Sequence, residues 1–156
     1  MRALAAQRGI DMPIIKSEEG REFRFFGDTV TIKTSSKETN GSYSLMHWTV
    51  PAGASAVPHA HESYEETFYI LSGELEVLLG ESKHHASAGD FIRVPDGTRH
   101  GFTNQSEEEV HMVVGLSPGG MEELFYKFRD DGPHKATGKY ADEARRFHKT
   151  EYEYGS

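Results

Sequence analysis

The middle of the chain consists of short segments in which apolar and polar residues alternate or in which apolar residues run together before a turn. Such segments are typical of β-strands. The segments that we predict as strands are residues 28–34, 43–50, 66–71, 74–79, 90–94, 100–104 and 110–116. Turn residues separate them, as at Pro95-Asp96-Gly97. Because no helical pattern lies between these segments, we expect an all-β sandwich or barrel.

The two ends of the chain differ from this pattern. Residues 120–129 place apolar side chains at helical spacing, and residues 140–149 have apolar side chains on one helical face. We therefore predict short C-terminal helices. The expected organisation is an N-terminal arm at residues 1–27, a β-barrel at residues 28–118 and a C-terminal helical extension at residues 119–156.

Composition and charge exclude several classes of function. The 156 residues include 17 Lys and Arg against 25 Asp and Glu, a net charge of -8. A nucleic-acid-binding domain needs a basic face, so we expect no nucleic-acid partner. No apolar run approaches the roughly 20 residues that cross a bilayer. The N-terminal residues do not resemble a secretory signal either, so we expect no membrane association and a cytoplasmic location.

Histidine residues form a candidate metal site. The chain has no cysteine, so a bound metal would have His, carboxylate or water ligands. His59 and His61 are separated by one residue, and this spacing in a strand puts both imidazoles on one face. His100 begins a later predicted strand. Two or three imidazoles that converge in this way suit a divalent transition metal.

A carboxylate follows the histidine pair at Glu65 or Glu66. Glu66 has the same strand parity as Phe68 and Ile70, which we expect to face the barrel interior. Glu65 would lie on the other face of the strand. We therefore choose Glu66 as the metal ligand.

Two motifs resemble those of the cupin superfamily. The first has the spacing G-x5-H-x-H-x4-E-x6-G, and the second has the spacing G-x5-P-x-G-x2-H-x3-N. The residues at the specified positions are Gly53, His59, His61, Glu66 and Gly73, then Gly89, Pro95, Gly97, His100 and Asn104. At typical residue frequencies of about 5% each, ten matches at fixed spacing arise by chance on the order of once in a billion or more rarely.

The resemblance implies a double-stranded β-helix, the jelly-roll barrel of cupins, with a metal ion inside its mouth. Carried over by position, His59, His61, Glu66 and His100 would be the metal ligands, and Asn104 would be a structural residue. The expected cofactor is one divalent transition metal ion, namely iron, nickel, manganese, cobalt or zinc. The resemblance also implies a homodimer and a small-molecule substrate.

Side chains on the predicted strands are candidates for the substrate pocket. We select Phe68, Phe102, Met46, Met112 and His47. The alternative role of the apolar side chains is to fill the barrel interior, and the alternative for His47 is an outward-facing position. Phe102 has the same parity as His100, which makes it the strongest candidate for contact with a ligand. His84 and His85 are expected in a solvated loop.

The resemblance leaves three kinds of function open. Residues 58–74 are similar to quercetinase-like dioxygenases in the pattern PH-x-H, E-x-FY-x-L-x-GE. This similarity favours a metal-dependent dioxygenase for a small aromatic or enolic compound, with Glu66 as ligand and proton acceptor. A non-oxidative polyketide cyclase or isomerase could use the same metal as a Lewis acid. A non-catalytic protein that binds a small molecule is the third alternative.

Overall fold

Ten strands follow one another in the computed structural model, which describes residues 14–133. A single α-helix, α1 (Met121–Lys127), comes after them in this described range. The strands are β1 (Arg21–Phe25), β2 (Asp28–Thr34), β3 (Ser44–Val50), β4 (Ser55–His59), β5 (Glu65–Ser72), β6 (Glu74–Leu79), β7 (Ser82–Ser87), β8 (Phe91–Val94), β9 (His100–Thr103) and β10 (Val110–Ser117).

The strands form two antiparallel sheets. The first has the order β1-β2-β3-β10-β5-β8, and the second has the order β4-β9-β6-β7. Strand β10 lies at the centre of the first sheet, where it pairs with β3 on one side and β5 on the other. Both sheets contribute side chains to one buried core. This arrangement confirms the predicted all-β jelly-roll fold.

Alternation of side chains explains why these segments become strands. In β3 the buried positions are Ser44, Met46, Trp48 and Val50, and the intervening residues face outward. Strand β5 follows the same rule, with Phe68 and Ile70 buried. Each fully buried aliphatic or aromatic side chain contributes roughly 1.5–3 kcal/mol relative to exposure, so the register of each strand is fixed by its apolar face.

Three strands were not predicted from the sequence. Strand β1 lies in the segment that we expected to be an N-terminal arm, and it pairs with β2 along its full length. Strand β4 contains Pro58, and its pairing with β9 is irregular. Strand β7 pairs with β6, so His84 and His85 are exposed on a strand rather than in a loop. The division of the chain into an arm, a barrel and an extension stays a prediction.

Helix α1 lies inside the segment 120–129 predicted as helical, and it packs Met121 and Phe125 into the core. The buried Glu122 carboxylate accepts backbone hydrogen bonds from Ser36 and Gly120, each at 2.6 Å. These bonds tie the start of the helix to the loop after β2. The helix predicted at residues 140–149 lies outside the described residues. No helix within residues 14–133 has the length and apolar character needed to span a bilayer.

Candidate metal centre

Four side chains with metal-ligating atoms converge at one end of the core. They are His59, His61, Glu66 and His100, and one ligand atom from each lies within 4.8 Å of all the others. Glu66, His61 and His100 are buried, whereas His59 is only half-buried. The cluster is therefore enclosed by protein on most sides and approaches solvent at His59.

The two sheets bring these four residues together. His59 ends β4 and lies opposite His100, the first residue of β9. Glu66 is the second residue of β5, in the other sheet, and it pairs with Val94 at the end of β8. His61 follows β4 by two residues. The spacing of the histidine pair had suggested two positions on one strand, but His61 reaches the cluster from the loop beyond the strand end.

Strand parity separates the two neighbouring glutamates. The Glu66 side chain lies in the interior with the histidines. The Glu65 carboxylate instead accepts two hydrogen bonds of 2.7 Å from the Arg93 guanidinium. Arg93 is exposed and Glu65 is half-buried. The structure thus brings the carboxylate that we had selected into the cluster and leaves the other outside.

Backbone carbonyl groups orient two of the imidazoles. The Nδ1–H of His59 donates to the carbonyl oxygen of Val57 at 2.7 Å, and the Nδ1–H of His100 donates to that of Thr98 at 2.8 Å. A carbonyl can only accept, so Nδ1 of each ring carries a proton and Nε2 is the atom directed toward the cluster. Histidines that bind metals are commonly held in this way through the second ring nitrogen.

Burial and mutual contact set the charges of the cluster. Burial alone would raise the pKa of Glu66, but hydrogen bonds from His100 and His61 outweigh it and hold that pKa below its usual value. Burial, together with the neighbouring His100 and His61, lowers the pKa of His59 to about 4. At neutral pH the cluster therefore presents an ionised carboxylate and a neutral His59 imidazole, the forms that bind metal ions. Burial lowers the pKa of His100, but its hydrogen bond to Glu66 outweighs burial and raises that pKa, so a bound metal ion would displace the proton from Nε2 of His100.

The donor set fits a divalent transition metal. Three imidazole nitrogens and one carboxylate oxygen form a borderline set that suits iron, manganese, cobalt, nickel or zinc. The carboxylate provides one negative charge to offset the charge of the ion. Among residues 14–133, this group is the single cluster of three or more potential ligands.

The predicted pocket residues divide into two groups. Phe102 follows His100 by two residues on β9, and Phe68 follows Glu66 by two on β5, so each lies on the same face as its ligand. The rings of Phe68 and Phe102 are 6.2 Å apart, and that of Phe68 is 6.3 Å from His100. Met46 and Met112 are fully buried in the core. Met112 lies opposite Trp48 and Ile70 on the neighbouring strands.

His47 does not reach the interior. It lies on the face of β3 opposite to the buried Met46, where its ring stacks on that of His111 at a centroid distance of 5.2 Å. The choice of His47 as a pocket residue is therefore corrected. Met46 and Trp48, the apolar neighbours of His47, occupy the buried face of the strand. Their alternation with His47 could have predicted that its side chain faces outward.

Sequence reasoning also missed the residues that orient the ligands. The carbonyl groups of Val57 and Thr98 hold the imidazoles, but any residue type supplies a backbone carbonyl. No side-chain motif can reveal such a contact. The fold alone shows it.

Comparison with known proteins places this geometry in a family. Residues 46–116 match the family model described as "Cupin domain". Quercetin 2,3-dioxygenase of Bacillus subtilis is 30% identical over 117 residues, which cover 75% of this chain and 34% of that protein. The "Polyketide synthase CurC" of Streptomyces cyaneus is 38% identical over 60 residues, 38% of this chain and 39% of that protein. The chain thus spans little more than a third of the length of either relative.

Solved structures share the fold. The structure of KdgF from a Halomonas species has a TM-score of 0.64 and 23% identity, and the match covers 73% of this chain and 100% of that one. A Cupin 2 conserved barrel domain protein from Salinispora arenicola has a TM-score of 0.60 and 20% identity over 75% of this chain and 98% of that one. The matched family model and the motifs at the metal cluster identify residues 46–116 as a cupin domain, and these structures share its fold.

Proposed function

We propose that this chain is a metal-dependent dioxygenase that acts on a small aromatic or enolic compound. The observation that carries the proposal is the converged cluster of three histidines and one glutamate, half-open at His59. The similarity to quercetin 2,3-dioxygenase, which covers 75% of the chain, supports the choice of reaction. It covers only 34% of that protein, so the substrate itself is part of the proposal.

The four cluster residues would hold one divalent transition metal ion. When bound, such an ion supplies Lewis acidity and, for iron, manganese, cobalt or nickel, redox chemistry toward dioxygen. The protein holds the Nε2 atoms of His59 and His100 in place through the carbonyl groups of Val57 and Thr98. This preorganisation spares the site the cost of ordering these side chains when the ion binds.

Glu66 would accept the proton of the substrate hydroxyl group. Its carboxylate oxygen Oε2 lies 2.8 Å from Nε2 of His100 and 3.4 Å from Nε2 of His61. Hydrogen bonds from these imidazoles lower the pKa of Glu66, and burial opposes them. A carboxylate bound to a cation is a weak base, so this role would require Glu66 to leave the metal ion, after which burial would favour its protonated form.

The surroundings of the cluster suit an aromatic or enolic substrate. Phe68 offers an apolar ring surface next to His100, and Phe102 packs against Phe68 from the same side of the core. In the part of the chain that the structure describes, the charges that shift the pKa values of Glu66, His59 and His100 come from the cluster itself, and no Lys or Arg is among them. A neutral or singly charged enol fits such a site better than a phosphate ester or a dicarboxylate.

Oxygen uptake tests the proposal. The protein is loaded separately with Fe(II), Mn(II), Co(II), Ni(II) or Zn(II), and dioxygen consumption is followed with a flavonol as the substrate. We expect one redox-active metal to support uptake of one dioxygen per substrate molecule. Turnover at an unchanged rate under strict anaerobiosis would contradict the proposal, as would the absence of uptake with every redox-active metal across a set of enolic substrates.

A non-oxidative cyclase or isomerase is the second candidate function. The observation that favours it is the 38% identity over 60 residues to the Streptomyces cyaneus polyketide synthase CurC. In this case the same cluster would polarise a ketone and Glu66 would move the proton. A product with the same mass as the substrate, formed without oxygen, would favour this candidate, whereas binding without turnover would indicate the third alternative, a non-catalytic binding protein.

The homodimer and the cytoplasmic location stay predictions. The chain mass is 17.5 kDa, so light scattering on the full chain distinguishes a monomer from a species of twice this mass. A monomer at micromolar concentration would contradict the predicted dimer. It would leave the proposed chemistry unchanged, since all four cluster residues come from one chain.

A further inference from the structure

The turn at residues 95–98 lies between the loop that carries His61 and the strand that begins with His100. It closes with a hydrogen bond from Thr98 N–H to the carbonyl oxygen of Pro95 at 3.1 Å. The turn contacts both ligand-bearing segments. The N–H of Gly97 donates to the carbonyl oxygen of His61 at 2.9 Å, and the carbonyl of Thr98 accepts from Nδ1 of His100.

Asp96 adds a third connection from this turn. Its side-chain oxygen Oδ1 accepts a hydrogen bond of 2.7 Å from the backbone N–H of Ser63, 33 positions earlier in the chain. Ser63 follows His61 by two residues, and its φ of 69° lies in the left-handed region. Residues other than glycine rarely adopt this conformation without support from their surroundings. The Asp96 carboxylate supplies such support at the loop that places His61.

We infer that Asp96 is a positioning residue, which fixes the loop of His61 against the turn that precedes His100 and so sets the distance between these two ligands. The inference rests on the metal site of the proposed function. Asp96 itself is exposed and is not one of the four cluster residues. It acts through the backbone N–H of Ser63, while the N–H of Gly97 holds the same loop at the carbonyl of His61 itself.

Asp90 offers a matched control. Its carboxylate accepts a hydrogen bond of 2.8 Å from the backbone N–H of Ser87, in the turn between β7 and β8. Asp90 is exposed, like Asp96. This turn carries no cluster residue, so loss of the Asp90 contact removes the same kind of bond away from the site.

The test compares Asp96→Ala, Asp96→Asn and Asp90→Ala with the wild-type chain. Affinity for Zn²⁺ is measured by competition with a chromophoric chelator, and amide hydrogen exchange of Ser63 and Gly97 is measured in the metal-free protein. In Asp96→Ala we expect Zn²⁺ affinity to fall about tenfold, the low end for residues that orient ligands. We also expect both amides to exchange faster. Asp96→Asn keeps an acceptor oxygen and should retain most of the affinity, and Asp90→Ala should match the wild type in both measurements.

Wild-type affinity and wild-type exchange in Asp96→Ala would overturn the inference, and so would an equal loss of affinity in Asp90→Ala. If Asp96→Ala fails to fold, Asp96→Glu, whose carboxylate is displaced by one methylene, is measured with the same expected losses. A wild-type chain that binds no Zn²⁺ or other divalent metal would contradict the proposed metal centre. In that case amide hydrogen exchange of Ser63 and Gly97 would by itself decide whether Asp96 holds the loop.

Discussion

Nε2 of His100 lies 2.8 Å from Oε2 of Glu66, although 34 positions separate these residues in the chain. His100 begins β9 in the four-stranded sheet, and Glu66 lies on β5 in the six-stranded sheet. The contact therefore joins the two sheets across the interior. Each motif supplies one of the two residues, so neither half of the sequence can form the cluster alone.

The pair of neighbouring glutamates provides the first test of this arrangement. Glu66→Gln keeps the shape of the side chain but removes the charged ligand. We therefore expect metal affinity to fall by at least about 100-fold, which exceeds the usual effect of mutating a residue that only orients a ligand. Glu65→Gln removes one partner of an exposed ion pair with Arg93. Isothermal titration with Ni²⁺ measures both variants. Equal losses in the two variants would contradict the assignment.

Asp28 predicts a specific pH dependence of stability. Burial raises the pKa of Asp28 to about 6, against the opposing hydrogen bond from Trp48 Nε1 at 2.7 Å. Because the folded state binds the Asp28 proton more tightly than the unfolded state, protonation of this group stabilises the fold. This contribution is complete below the unfolded pKa near 3.8 and is lost as the pH rises through about 6.

Asp28→Asn removes this ionisation and retains an acceptor for Trp48. We expect the free energy of unfolding of the variant, relative to that of the wild type, to increase between about pH 4 and 6. The increase should reach about 2–3 kcal/mol at pH 7. Urea unfolding at a series of pH values measures the difference. Parallel pH profiles for the two proteins would show that Asp28 does not titrate in this way.

Asn104 is predicted to act on stability rather than on chemistry. The buried amide donates to the carbonyl groups of Val50, Pro51 and Glu108, and its oxygen accepts from Ser106. Asn104→Ala leaves several of these groups without their partner, so we expect a loss of about 2–4 kcal/mol in the free energy of unfolding.

The neighbouring residue provides the control for Asn104. Gln105 is exposed, and Gln105→Ala should change the free energy of unfolding by less than about 0.5 kcal/mol. Chemical denaturation measures the free energy of unfolding of both variants. The metal content of each folded variant should match that of the wild type. A small effect of Asn104→Ala would mean that water replaces its hydrogen bonds.

Phe102 and Met112 test which buried side chains line the pocket. Both lie in the core, and truncation to alanine should destabilise each by about 2–5 kcal/mol. Of the two, Phe102 is the one two residues from His100 on the same strand, and its ring contacts that of Phe68. For an active preparation, we therefore expect Phe102→Leu to raise KM for an aromatic substrate several-fold and Met112→Leu to leave KM unchanged. The opposite order in steady-state kinetics would contradict this assignment of the pocket.

Strand parity made much of the cluster predictable. Glu66 could be chosen over Glu65 because its parity matched that of Phe68, and the structure places both in the interior. His47 lies on the outward face of β3 with Leu45, the alternative that its sequence position left open. The stacking of His47 on His111 depends on the neighbouring strand β10, which a local pattern does not specify.

The missed strands have physical causes as well. Strand β7 is an edge strand in which Ala86 is the only buried residue, so its sequence lacks a clear apolar alternation. Strand β1 has just two buried residues, Phe23 and Phe25, and its conformation depends on pairing with β2. The position of His61 beyond the end of β4 arises from the loop geometry, which short motifs do not encode.

Measurement of metal content tests most directly whether His59, His61, Glu66 and His100 form a metal centre. The full chain, purified without a tag or chelator, is analysed for metals beside the double variant His59→Ala/His100→Ala, with circular dichroism to show that both are folded. We expect about one divalent transition metal ion per wild-type chain and a loss of nearly all of it in the variant. A folded wild-type chain that holds no metal and takes none up from excess Fe(II), Ni(II), Mn(II), Co(II) or Zn(II) would show that the four residues do not form a metal centre.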